Sequence, residues 1–142
     1  MFWNKNRKLS QEGLELSEQC RAEAEELYRS GKYHCAEAVL EVVRRHFASD
    51  LPESIVSTVS GFGGGSGSGC ICGAVSGGTV ALGLVLGDKK EITRLTKELH
   101  IWFKEKYGVT CCRTIRQTHK GVCPVLTGEV AGKIAEMLSY KS

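Results

Sequence analysis

The sequence predicts an all-α fold, a single-domain helical bundle of about five to six helices that carries one glycine-rich loop. Apolar residues recur at helical spacing along most of the chain, and no segment alternates as a half-buried strand would. With 142 residues and a hydrophobic fraction of 42%, the chain can bury one core. We therefore expect one domain over residues 1–142, with residues 1–8 disordered.

The first predicted helix covers residues 9–30 and ends at Gly31. Its apolar stripe is formed by Leu9, Leu16, Cys20, Ala24 and Leu27. A second helix should run from about His34 to Phe47, with Cys35 in its first turn.

The glycine-rich region lies between two predicted helices. Pro52 suits the first position of a short helix that ends at Gly61. Eleven of the seventeen glycines lie between Gly61 and Gly87. We interpret Cys72 to Leu86 as a helix because its glycines fall four apart, which would let neighbouring helices pack closely. These glycines are Gly69, Gly73 and Gly77, and then Gly83 and Gly87.

Three further helices complete the prediction. Residues 89–107 have strong helical periodicity, and Gly108 ends the segment. Thr110 can cap a short helix that contains Cys111 and Cys112. Cys123 precedes Pro124 at the head of the last helix.

Charge and hydropathy exclude two classes of partner. The formal net charge is +3, and the basic residues are spread along the chain, so we expect no nucleic acid partner. Residues 73–87 are too few and too glycine-rich to span a bilayer, and the start of the chain lacks the apolar segment of a signal peptide. We therefore expect a cytoplasmic protein without membrane insertion.

Cysteine is the most informative residue type. In a reducing compartment, an odd set of seven argues for metal binding or redox chemistry over structural disulfides. No Cys-x-x-Cys pair occurs, so any site must be assembled by the fold. The seven are Cys20, Cys35, Cys70, Cys72, Cys111, Cys112 and Cys123.

Four cysteines fall at or near predicted helix starts, namely Cys35, Cys72, Cys112 and Cys123. Free N–H groups and the positive end of the helix dipole should lower the pKa of such thiols and stabilise a thiolate.

The other cysteines have different surroundings. Cys20 lies on an apolar stripe and is expected in the core. Cys70 forms a Cys-x-Cys pair in the glycine-rich loop, and Cys111 cannot point to the same place as its helical neighbour Cys112. One residue of each pair is therefore the better candidate for the site.

Other candidates for the site are weaker. Four histidines could add ligands, and His34 beside Cys35 is the best of them; the others are His46, His100 and His119. The run "GFGGGSGSG" is not followed by the Gly-Lys-Ser/Thr of a phosphate-binding loop. A flexible linker would not normally continue into a thiol pair.

Together, four motifs resemble the C_GCAxxG_C_C family of redox-active proteins over roughly residues 20–140. The motifs are "YHCAEAVL", "CGAVSGGTVALGLVLG", "YGVTCCR" and "CPVLTGEVAGKIAEML". The resemblance implies a helical redox domain whose recurring cysteines are Cys35, Cys72, Cys112 and Cys123. It also implies similarity to the non-haem domain of split-Soret cytochromes, for which an iron–sulfur centre has been proposed. Cys70 and Cys111 are additions to the family pattern that could substitute for their neighbours.

Three functions follow as hypotheses. The first is an electron-transfer protein with a 2Fe–2S or 4Fe–4S cluster on the four cysteines and an unknown redox partner protein. The second is a thiol–disulfide redox protein or sensor, which needs no cofactor. The third is a zinc or copper binding protein. A glycine-rich helix face, together with Phe2 and Trp3, suggests a homodimer.

Overall fold

The computed structural model describes residues 9–140, and the disorder expected for residues 1–8 lies outside this range. Six α-helices follow one another along the chain, namely α1 (Gln11–Arg29), α2 (Cys35–Phe47), α3 (Gly73–Leu86), α4 (Lys89–Tyr107), α5 (Cys112–Thr118) and α6 (Cys123–Ser139). A 3-10 helix, Glu53–Phe62, and a π-helical turn, Gly65–Gly69, lie between α2 and α3.

The all-α class is confirmed, and the expected number of helices is corrected. The described residues form seven helices rather than five to six, because both short segments, Glu53–Phe62 and Cys112–Thr118, fold as complete helices. Residues 9–140 contain no strand, and their β pairing is limited to the single bridge between Ile71 and Cys111.

The glycine-rich run is more ordered than a flexible linker. The 3-10 helix begins at Glu53 with Pro52 as its N-cap, one residue later than predicted, and it continues through Gly61 to Phe62. The following turn has left-handed conformations at Ser66 and at Gly64, Gly65 and Gly67, where glycine adopts them readily. This segment is therefore a turn of defined conformation that leads into Cys70 and Cys72.

Helices α2 and α3 pack as closely as the glycine spacing predicted, but only at two of the five glycines. A Cβ atom on Gly77 would lie 2.6 Å from the carbonyl oxygen of Ala36, and one on Gly73 would lie 2.7 Å from the oxygen of Phe62 and against the Cys35 sulfur. The remaining three glycines do not take part in this packing. Gly69 lies in the preceding turn, Gly83 faces open space, and Gly87 caps the helix in a left-handed conformation.

The core lies between α6 and its neighbours. Helix α6 packs mainly on α1, where Ser17 Oγ donates to the Gly132 carbonyl oxygen at 2.8 Å. A Cβ atom on Gly128 would lie 2.7 Å from the Arg21 carbonyl oxygen, so these two helices also meet backbone to backbone. Cys20, on the buried side of α1, is fully buried in this core, as expected.

The expected cytoplasmic location and the expected homodimer remain predictions. No helix in residues 9–140 is long and apolar enough to cross a bilayer. Phe2 and Trp3, which suggested a homodimer, lie outside the described residues. Part of the glycine face that suggested self-association packs inside the chain, at Gly73 and Gly77.

Candidate functional site

The four helix-start cysteines line one cavity of about 780 Å³. Cys35, Cys112 and Cys123 are the first residues of α2, α5 and α6, and Cys72 is the N-cap of α3. Four separate segments of the chain therefore bring their thiols to a common space. The helix-start positions predicted for these cysteines are confirmed.

A short backbone bridge holds the segments that carry the two close cysteine pairs against each other. The Cys72 N–H donates to the Thr110 carbonyl oxygen at 2.8 Å, and the Cys112 N–H donates to the Cys70 carbonyl oxygen. Ile71 and Cys111 form the opposed pair between these two bonds. Because successive side chains of an extended segment point to opposite faces, the bridge directs Cys112 to the side opposite Cys111, and Cys112 and Cys72 line the cavity.

Cys70 and Cys111 lie outside the cavity lining. Cys111 is half-buried, and its thiol donates to the Gly69 carbonyl oxygen at 3.5 Å. The Cys70 side chain is exposed. Hydrogen bonds from Thr114, together with the N–H of Arg113, lower the pKa of Cys111, so this thiol favours the thiolate more than the buried ones do.

The glycine-rich turn forms one wall of the site. Gly63 and Gly64 line the cavity, and a Cβ atom on Gly65 would lie 2.8 Å from the Cys112 Cβ atom. Gly73, which also lines the cavity, lets the first turn of α3 touch the Cys35 sulfur. Side chains at Gly65 and Gly73 would occupy space beside the Cys112 and Cys35 side chains.

Burial outweighs the helix termini in setting the pKa values of three thiols. Burial raises the pKa of Cys72 to about 12, although the N–H groups of Ala74 and Val75 act to lower it. Burial likewise raises the pKa of Cys35, and neighbouring thiols add to the shift. The pKa of Cys112 is also raised, by burial, against the lowering effect of Arg116. The expectation that helix starts would lower these pKa values is therefore wrong, because burial of the thiols has the larger effect.

Three polar side chains in the cavity were missed by the sequence analysis. Arg116 approaches the Cys112 thiol and the Tyr28 hydroxyl approaches the Cys123 thiol, while Thr127 is fully buried. The hydroxyl of Thr127 has no hydrogen-bond partner. Arg116 follows Cys112 by four residues, and Thr127 follows Cys123 by four, so helical spacing could have identified both.

The four histidines fall into two groups. His34 and His119 line the cavity. His46 instead pairs with Glu23 at 3.1 Å, and His100 Nδ1 lies 2.9 Å from the Thr96 carbonyl oxygen. His34 is the N-cap of α2, where its N–H donates to Glu37 at 3.0 Å.

The cavity is not shaped around a single ion. Within residues 9–140, no three His, Cys, Asp or Glu side chains converge closely enough to hold one metal ion. The thiols are instead distributed over the cavity wall, together with the cationic side chains of Arg116 and Lys120. No carboxylate lines the cavity among the described residues.

The comparison with protein families gives a match to one family over most of the chain. The family described as "Putative redox-active protein (C_GCAxxG_C_C)" matches residues 33–137, a range that includes all four cavity cysteines. No curated protein and no solved structure matches the chain. Because the match covers well over half of the sequence, this chain belongs to the C_GCAxxG_C_C family of redox-active proteins.

Proposed function

We propose that this protein binds an iron–sulfur cluster through Cys35, Cys72, Cys112 and Cys123 and transfers electrons through it. The observation that carries the proposal is that these four thiols, from four different helix starts, line one cavity. Four cysteine thiolates are the usual ligands of both 2Fe–2S and 4Fe–4S clusters. When bound, such a cluster supplies the one-electron chemistry that membership of a redox-active family implies.

The spread of the thiols favours a cluster over a single ion. A structural zinc site needs four donors converging at bonding distance on one point. The described side chains do not form such a group, whereas a cluster offers several metal atoms to thiols that line a larger space. This argues against the zinc or copper alternative.

The raised pKa values of the buried thiols also favour metal ligation over thiol exchange. Thiol–disulfide exchange requires a thiolate, but Cys72, with a pKa of about 12, is protonated at neutral pH. A metal centre removes this proton on binding, because thiolate ligation and deprotonation are linked. Buried thiols of this kind are inert to exchange and remain competent to bind metal.

The surroundings suit an anionic centre. A cluster with four thiolate ligands carries negative charge, which Arg116 beside Cys112 and Lys120 can balance. The N–H groups at the starts of α2 and α3 add positive potential on the same side. The exposed Arg116 and Lys120 would also attract an acidic redox partner protein to the cavity.

A second function has one observation in its favour. Cys111 has a lowered pKa and is accessible, and Cys70 is exposed near it. In this alternative, oxidised glutathione accepts two electrons as these thiols form a disulfide, and two glutathione thiols are released. Thiol titration of metal-free protein before and after this treatment would detect the loss of two thiols.

Anaerobic reconstitution tests the main proposal. Protein treated with ferrous iron and sulfide should retain both in fixed stoichiometry, absorb in the visible range and give an EPR signal in one oxidation state. Replacing any of the four cavity cysteines with serine should abolish or strongly reduce retention. The matched variants Cys70→Ser and Cys111→Ser should retain the cluster. Wild-type protein without bound iron and sulfide, or loss of the cluster in the matched variants instead, would contradict the proposal.

A further inference from the structure

Thr127 is buried in a way that helical threonines seldom are. Its side chain is fully buried in α6, and its Oγ1 atom has no hydrogen-bond partner. A threonine in a helix commonly donates to the carbonyl oxygen four residues back. Thr79 does so to Val75 at 2.9 Å, and Thr118 does so to Thr114 at 2.8 Å. The corresponding bond from Thr127 to Cys123 is absent.

The position of Thr127 indicates where its hydroxyl could find a hydrogen-bond acceptor. Residues four apart lie on the same face of a helix, so Thr127 follows Cys123 along the side of α6 that lines the cavity. A buried hydroxyl without a partner destabilises a protein, and such groups in native structures need an explanation. An occupant of the cavity that accepts a hydrogen bond provides one.

We infer that the Thr127 hydroxyl donates a hydrogen bond to a sulfur atom of the centre bound beside Cys123 and thereby raises the reduction potential of that centre. The inference rests on the proposed function. A hydrogen bond to sulfur stabilises the reduced, more negative form of an iron–sulfur centre more than the oxidised form. Thr127 thus tunes the potential of the centre without being a ligand.

Tyr28 acts on the same side of the site. It lies at the end of α1, and its hydroxyl approaches the Cys123 thiol. Two hydroxyl donors, from Thr127 and Tyr28, thus lie near Cys123, while the Arg116 guanidinium lies near Cys112. Cys35 and Cys72 receive backbone N–H groups at the starts of their own helices. Thr127, Tyr28 and Arg116 therefore all lie on the Cys112 and Cys123 side.

The chain offers a matched control for this test. Thr96 also has a buried hydroxyl without a partner, but it lies on α4 and does not line the cavity. Thr127→Val removes the hydroxyl with little change of shape, Thr127→Ser keeps it, and Thr96→Val removes the comparable hydroxyl elsewhere.

The reconstituted proteins are compared by redox titration monitored by EPR. Thr127→Val should lower the midpoint potential by an amount equivalent to a roughly tenfold change in the redox equilibrium, about 59 mV for one electron. Thr127→Ser and Thr96→Val should retain the wild-type value. A loaded Thr127→Val protein with the wild-type potential would overturn the inference and leave the proposed function intact. Wild-type protein that takes up neither iron nor sulfide would overturn both.

A second measurement needs no cluster. In metal-free protein the Thr127 hydroxyl has no partner to lose, so Thr127→Val should leave the folding equilibrium unchanged or shift it up to about fivefold toward the folded state. Urea denaturation of metal-free wild type, Thr127→Val and Thr96→Val measures this shift. Strong destabilisation by Thr127→Val would mean that the hydroxyl is already bonded within the fold, and the inference would fail.

Discussion

Replacing Gly77 with alanine should disrupt the closest contact between α2 and α3. A Cβ atom at this position would lie 2.6 Å from the carbonyl oxygen and 2.7 Å from the Cα atom of Ala36, whereas ordinary contact begins at 3.4 Å. Both neighbours are backbone atoms, so no side chain can rotate away. The two helices must separate by about 0.8 Å, the difference between 3.4 and 2.6 Å, at this point.

The change in the free energy of unfolding caused by Gly77→Ala follows from two opposing effects. Overpacking against a rigid backbone costs about 3 kcal/mol, at the upper end of the usual range. Alanine is favoured over glycine inside a helix by about 1 kcal/mol. We therefore expect Gly77→Ala to lower the free energy of unfolding by about 2 kcal/mol. Gly83→Ala in the same helix gains the helical preference alone, because its Cβ would have no neighbour within 4 Å.

Urea denaturation of the metal-free proteins, followed by circular dichroism, is the assay. Gly77→Ala should be less stable than Gly83→Ala by about 3 kcal/mol, with similar slopes for the two variants. Since Cys35 and Cys72 lie at the starts of α2 and α3, Gly77→Ala should also retain less iron after reconstitution. Equal stability of the two alanine variants would refute the packing described for α2 and α3.

Two further predictions concern pH. The pKa of Cys72 is about 12 in the folded protein and about 8.5 in an unfolded chain, so its contribution to stability is complete below pH 8.5 and is lost as the pH rises toward 12. The free energy of unfolding of metal-free protein, measured in urea from about pH 9 to about pH 11, should fall by about 1.4 kcal/mol per pH unit more in wild type than in Cys72→Ala, and identical slopes would contradict this. Against the effect of burial, Arg44 and Arg45 hold the pKa of Glu41 below its usual range. Glu41→Gln should therefore cost about 3 kcal/mol at pH 7 and less as the pH falls below about 4, and an equal cost at both pH values would exclude a charge effect.

Most of the fold could be predicted because its helices are specified locally. The periodicity of residues 89–107 and the stop at Gly108 correspond to α4 as observed. The α1–α6 contact through Gly128 and Gly132 has the same four-residue glycine spacing that drew attention to α3, and it was overlooked. The cap of α5 falls on Cys111 rather than Thr110, a difference of one residue that depends on the bridge to Ile71.

The site could be predicted only in part because some of its features depend on distant contacts. Helix starts identified the four cysteines that line the cavity, although their ligand role stays a prediction. The inward position of Cys112 rather than Cys111 depends on pairing between residues 70–72 and 110–112, which are about 40 positions apart. The raised pKa of Cys72 depends on its burial, which no local pattern shows.

The arrangement of helices around the cavity also affects the electrostatic potential inside it. Helices α2, α3 and α6 all begin at the cavity, so their amide dipoles have their positive ends there. The basic last turn of α2, with Arg44, Arg45 and His46, offsets the negative end of that helix. Three helix starts and the helix end of α1 at Tyr28 meet at the cavity, so the helix dipoles leave a net positive potential there, which would attract an anion.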